Sequence, residues 1–166
     1  MTTPTHVQTL IVGQWRDASG PLYRTEYPFD GSTVATLHAA TPEDVNEAVQ
    51  AAEQARQQPA WAGLLPHERA GILYRIATGI RARAEELAHL QRLDNGKPMS
   101  ETRALVASAA GTFQFFAAAC ETFEDSVTPQ RGPFMTLSLH QPLGVVGAIT
   151  PWNSPIASEA QKIAPA

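Results

Sequence analysis

Apolar residues divide the chain into stretches that repeat every second position, stretches that repeat every three or four, and one run with no polar break. The N-terminal part is extended. "TLIVGQW" is β-branched and then broken by Gly13, and "LYRTEYPFDGSTVATLHA" holds two short extended runs around Asp30-Gly31, a hairpin signal. At Thr41 the period changes. Thr41 predicts an N-cap, Pro42 suits the first helical position, and Glu43 and Asp44 place acid in the first turn. Val45, Ala48, Val49 and Ala52 then recur at helical spacing until Pro59 and a flexible "PAWAG" end the helix. A second helix is predicted from about Pro66. Ile72, Leu73, Ile76, Ile80, Ala84 and Leu87 form its apolar stripe, with Arg75, Arg81, Arg83, Glu85 and Glu86 mostly off it. It stops at "LDNGKP", where Asn95-Gly96 suits a left-handed C-cap and Pro98 blocks continuation. A third helix runs from Ser100 to about Glu124, with Leu105, Ala109, Phe113, Phe116, Cys120 and Phe123 at spacings of four and three.

The break "TPQRGP" leads to "FMTLSLHQP", residues 134–142. There Met135, Leu137 and Leu139 alternate with Thr136, Ser138 and His140, a one-sided strand. "GVVGAI", residues 144–149, has no polar position at all, so both faces ask for cover, the habit of a strand inside a parallel sheet. Such a sheet needs further strands joined by crossover helices, and the chain holds no second run of this kind. The last helix, from about Pro155 to Ala164, reads as the first crossover. The expectation is an α/β protein: an N-terminal hairpin and helices leading into the start of a parallel sheet that is incomplete here, the front part of a longer chain.

Composition narrows the classes. The chain has 166 residues, 43% hydrophobic and 17% charged, which is globular rather than disordered. A net charge of −4 with scattered basic residues gives no footprint for nucleic acid. The N-terminal "MTTPTHVQTLIVGQW" lacks the basic start and apolar core of a signal peptide, and no apolar run approaches the length of a membrane span. None of Asn46, Asn95 and Asn153 begins a glycosylation sequon. One cysteine, Cys120, permits no internal disulfide, so a cytoplasmic protein without membrane or nucleic-acid partners is the default.

Few motifs carry chemistry. "HERAG" from His67 begins like a helical zinc site, but its fifth position is Gly71. The histidines are too dispersed for a metal, and no glycine-rich phosphate loop is present. Cys120 sits on the apolar stripe of a helix and reads as a small buried hydrophobe, and "LDNGKP" reads as a structural helix stop. The corner "TPWNSP" stands out. Pro151 and Pro155 stiffen the backbone around Trp152 and Asn153 at the C-terminal end of the apolar run, the edge where open α/β sheets bind ligands. An asparagine NH2 fixed there can donate to a developing oxyanion. The same corner also reads as a rigid turn with a packed Trp and a helix-capping Asn or Ser.

Taken in order, "LIVGQW", "TPEDVNEAV", "ERAGILYRIATGIRARAEELAHLQRLDNGKPMSE", "FQFFAAACE" and "PLGVVGAITPWNSPI" resemble the N-terminal part of the NAD(P)-dependent aldehyde dehydrogenase superfamily. The resemblance covers essentially the whole chain. It implies a Rossmann-like sheet, with residues 1–133 as the first part of the cofactor-binding domain, 134–142 as an oligomerisation strand and 143–166 as a truncated β-α unit. It implies that Ile149, Thr150, Pro151 and Trp152 line the cleft for NAD or NADP, that Asn153 is one donor of the oxyanion hole, and that Lys162 stands near the reaction site in a supporting or proton-relay role. The activity implied is oxidation of a small-molecule aldehyde through a cysteine thioester, in a homo-oligomer. The family's nucleophilic cysteine, general-base glutamate, ribose-binding lysine and glycine-rich turn lie beyond Ala166, and Cys120 does not match the nucleophile. The chain departs from the family at Ser154, where many members have phenylalanine, and at Tyr27 to Gly31, where Asn-Pro-Ala-Thr-Gly is commoner. By this resemblance the chain alone is inactive. The alternative is a non-catalytic fragment that associates with itself or a full-length relative through residues 134–142. An unrelated helical binding module fits less well, because of the parallel-type run and its polar corner.

Overall fold

The computed structural model describes residues 5–130 and 132–166; the first four residues of the N-terminal stretch and Arg131 in the break after the third predicted helix lie outside them. The β side comes first. β1 (Thr5–Val7), β2 (Thr9–Ile11) and β3 (Gln14–Arg16) are followed by β4 (Leu22–Glu26) and β5 (Thr33–His38). β4 and β5 form the hairpin expected around Asp30-Gly31, with Gly31 at φ +72° closing the loop. Two pairings were not legible. β2 and β3 form a second hairpin across Val12 and Gly13, both at positive φ, which is the backbone of a type I′ turn. β1 joins the far edge of β5 in parallel, giving the order β1-β5-β4.

α1 (Pro42–Gln57) begins at the Thr41 cap. Asp44 accepts hydrogen bonds from the backbone N–H groups of Thr41 and Ser19, both at 2.9 Å, so one buried carboxylate caps the helix and ties it to the loop after β3. Arg16 reaches the same group at 3.7 Å and pairs with Glu47. "PAWAG" forms a helical turn, α2 (Pro59–Ala62), rather than a flexible end. The single helix expected from Pro66 is two: α3 (Pro66–Ala82) and α4 (Ala84–Asn95), broken at Arg83, whose φ −112° and ψ 21° leave the helical well. The apolar stripe continues across the break, so periodicity alone could not show it.

α5 (Met99–Thr122) is the central helix and packs against α3, α4 and α6 (Pro155–Ile163). The core lies where these helices meet: Ala77 on α3, Ala109 and Phe113 on α5, and Ala160 and Ala164 at the end of the chain, with Leu73, Ile80, Phe116 and Ile156 around them. Alanines at this interface let the helix backbones approach closely. The buried face of α5 runs through Thr102, Val106, Ala109, Ala110, Phe113 and Ala117. It shares Ala109 and Phe113 with the predicted stripe but turns away from Phe123, which is exposed. Cys120 is half-buried, its thiol 3.4 Å from the Pro66 carbonyl, rather than a fully buried hydrophobe. By length and composition alone α5 is apolar enough to cross a bilayer, which corrects the expectation that no run is; one face of it packs against the neighbouring helices.

The largest departure follows α5. Only β6 (Ser126–Val127) and β7 (Leu137–Ser138) pair, antiparallel, within the stretch that leads to α6. Asp125 fastens this small hairpin by accepting from the His140 backbone at 3.0 Å and its ring at 2.8 Å. "GVVGAI" is not a strand. The run has no regular structure and is largely uncovered: Val146 is 59% and Ile149 95% exposed, and Leu143 just before it 98%. A ladder requires a neighbour for every strand, and among the described residues no backbone–backbone hydrogen bond joins 143–153 to another element.

Candidate functional site

The uncovered run delivers the chain to the TPWNSP corner. Trp152 and Asn153 form a turn, Ser154 is the N-cap of α6 at φ −148° and ψ 56°, and Pro155 takes the first helical position. The Ser154 carbonyl accepts from Ser158 at 2.9 Å and starts the helix. The corner is therefore anchored from below by α6, whose Ala157, Ala160 and Ala164 are buried against the core. A second anchor comes from the end of α4. Gly96 adopts the left-handed conformation, φ +75°, and the Asn95 side chain donates from Nδ2 to the carbonyl of Asn153 at 3.3 Å. The two motifs that stand out in the sequence, LDNGKP and TPWNSP, meet here.

The purely structural reading of the corner gives it a packed tryptophan and a capping side chain. Neither is present. Trp152 is 79% exposed, and Ser154 makes no side-chain cap bond. The Asn153 side chain is exposed and, among the described residues, makes no hydrogen bond. An amide with two free donors, on a backbone held at its own carbonyl and by the helix that follows, is a geometry that suits a stabiliser of negative charge.

The other predicted site residues lie close by in sequence but not all at the corner. Ile149 and Pro151 are exposed and Thr150 is half-buried, all on the run leading in. Their unpaired backbone groups leave polar atoms free along this wall, which fits a cleft lined through backbone atoms. Lys162 is in the last turn of α6, exposed, about 10 Å of helix rise beyond Pro155. Lys162 there also complements the negative end of the helix. One group on this helix had no sequence signal: partial desolvation raises the Glu159 carboxyl from its ordinary value, although the side chain is exposed. A separate groove of about 430 Å³, lined by Arg56, Trp61, Gly144, Val145 and Val146 among others, lies at the start of the uncovered run and does not include Asn153.

The family described as "Aldehyde dehydrogenase family" matches residues 15–166. The chain belongs to the aldehyde dehydrogenase family. It is 36% identical over 163 residues to the mitochondrial aldehyde dehydrogenase family 2 member B4 of Arabidopsis thaliana, a match that covers 97% of this chain and 30% of that one. Among solved structures it is similar to the NAD+ complex of an aldehyde dehydrogenase from Bacillus cereus (TM-score 0.92, 30% identity, 96% of this chain and 33% of that one). It is also similar to the NAD-dependent aldehyde dehydrogenase of Sinorhizobium meliloti (TM-score 0.90, 32% identity, 95% and 32%). The chain thus spans about a third of the length of the aldehyde dehydrogenases it matches. The expected α/β class, with sheets left incomplete, is what such a segment of the family looks like.

Proposed function

We propose that this chain forms one wall of the reaction site of an NAD(P)-dependent aldehyde dehydrogenase, with Asn153 as an oxyanion donor. The observation that carries the reading is the doubly anchored corner with a free Asn153 amide. The related aldehyde dehydrogenases from B. cereus and S. meliloti are named for NAD+, which favours NAD over NADP as the cofactor. Ile149, Thr150, Pro151 and Trp152 would hold it along the uncovered run, through main-chain atoms and the exposed indole. The bound nicotinamide supplies the hydride acceptor. The chain's own contribution is electrostatic. Asn153 Nδ2 donates to the aldehyde oxygen as it gains negative charge, and a donor fixed in advance costs no reorganisation at that moment. Lys162, in the last turn of α6, takes the supporting or proton-relay role. The lone cysteine suits a reducing compartment such as the cytoplasm.

In a protein carrying this segment with the rest of the family domain, Asn153→Ala should lower turnover by about a hundredfold or more, as loss of an oxyanion donor does. Near-normal turnover would remove Asn153 from the reaction. The 166-residue chain alone should form no NADH from aldehyde and NAD+, and steady NADH production by the purified chain would overturn the reading of it as one wall only.

A second reading is that residues 134–142 mediate assembly, with the chain itself or with a longer relative. Phe134, Met135, Leu137 and Leu139 are exposed in and around β7, an edge strand paired on one side by β6 alone. A chain that sediments as a monomer and does not co-purify with a relative counts against it.

A further inference from the structure

We propose that Asn95 is a positioning residue for the Asn153 amide. The inference rests on the oxyanion reading of Asn153. Asn95 is the last residue of α4, and its side chain works in two directions. Oδ1 accepts from the Lys97 backbone N–H at 3.2 Å and shapes the turn that ends the helix. Nδ2 donates to the Asn153 carbonyl at 3.3 Å. The amide offers an acceptor and a donor on separate atoms; aspartate keeps the first and loses the second.

The platform under Asn95 is stiff. The Gly96 N–H donates to the Arg92 carbonyl at 2.8 Å, closing the last turn of α4. A side chain at Gly96 would stand 3.4 Å from Pro28 of the β4–β5 loop, so the hairpin abuts the turn. Lys97 pairs with Glu101 on α5. The tie therefore connects Asn153 to α4, to α5 and to the sheet, whereas Pro155 connects it only to α6. Without the tie the peptide after Asn153 has a single anchor, and the preceding run has none. A displacement near one ångström at a reacting group costs about a hundredfold in rate, so a single long hydrogen bond here has a kinetic effect larger than its effect on stability.

The test separates this mechanical link from the reaction. Backbone ¹⁵N relaxation on the 166-residue chain reads Trp152, Asn153 and Ser154. Order parameters of about 0.85 in the parent should fall toward about 0.6 in Asn95→Asp. Gly96 and Lys97 should stay rigid in that variant because the Lys97 bond survives. Asn95→Ala should loosen both places. Unchanged order parameters at 152–154 in both variants overturn the proposal, and so does loosening in Asn95→Asp that includes Gly96 and Lys97. In a complete family member carrying this segment, Asn95→Asp should lower kcat roughly tenfold or more, a larger factor than any rise in KM for the cofactor. A change confined to KM overturns the positioning role. If the parent complete protein oxidises no aldehyde, the oxyanion reading fails, and the relaxation experiment alone decides the link.

Discussion

The face shared by α3, α5 and α6 and the run from Leu143 to Ile149 are made of the same kind of side chain and meet opposite fates. On the first, Phe113 is 6% exposed amid alanines that let three helices close upon it. On the second, leucine, valine and isoleucine stand in the open. An apolar pattern is a demand for cover, and it does not say where the cover comes from. α3 and α5 find theirs chiefly in each other, and α5 also in α6, which returns to the core from the far end of the chain. The run from 143 to 149 would find its cover only in neighbouring strands, and the described residues contain none. α1 falls between the two. Its N-terminus is fixed by Asp44, yet Val45 on its predicted apolar face is 52% exposed.

The comparison breaks most visibly at Phe113. Phe113→Ala removes the largest side chain of the helical core and should cost about 3–5 kcal/mol, read as loss of a cooperative urea transition. A variant that unfolds like the parent would mean that the alanine interface alone holds the helices. The next effect is at Asp44. The Thr41 and Ser19 N–H groups hold its carboxyl down to about 2. A carboxyl lowered on folding contributes stability that is present above the ordinary carboxylate range and is lost as pH falls through the folded value. The melting temperature should therefore drop between about pH 4 and about pH 2, and less steeply in Asp44→Asn, followed by far-ultraviolet circular dichroism. Equal slopes would show that the α1 anchor does not depend on the charge. The smallest effect belongs to the open run. Leu143→Ser and Ile149→Ser should change the stability of the chain by no more than about 0.5 kcal/mol, while reducing aggregation measured by light scattering. A large loss of stability would mean that these side chains are covered in solution.

Much of the fold was legible, for reasons that are local. Thr41-Pro42 with its acidic first turn places the start of α1, Asn95-Gly96 the end of α4, Pro155 the start of α6, and Asp30-Gly31 the β4–β5 loop. What escaped was decided by partners or by unmarked backbone. Arg83 breaks a continuous stripe with no glycine or proline to announce it. The parallel pairing of β1 with β5 joins segments with no shared local signal. The buried face of α5 is chosen by the helices around it, so periodicity found the helix and only part of the face. At the candidate site, two prolines made the corner visible. The reach of Asn95 across to Asn153 was hidden, because "LDNGKP" is fully accounted for as a helix stop until the fold brings the two together.

Because α5 and α6 pack on each other, the span between them, which holds only the short β6–β7 hairpin among the described residues, is fastened at both ends to one helical block. The entropy of closing a loop grows only with the logarithm of its length. The block is therefore nearly indifferent to how long this span is. Residues can be added to it or exchanged within it at little cost to the core, which leaves the sequence of the span free to answer to whatever surface it meets.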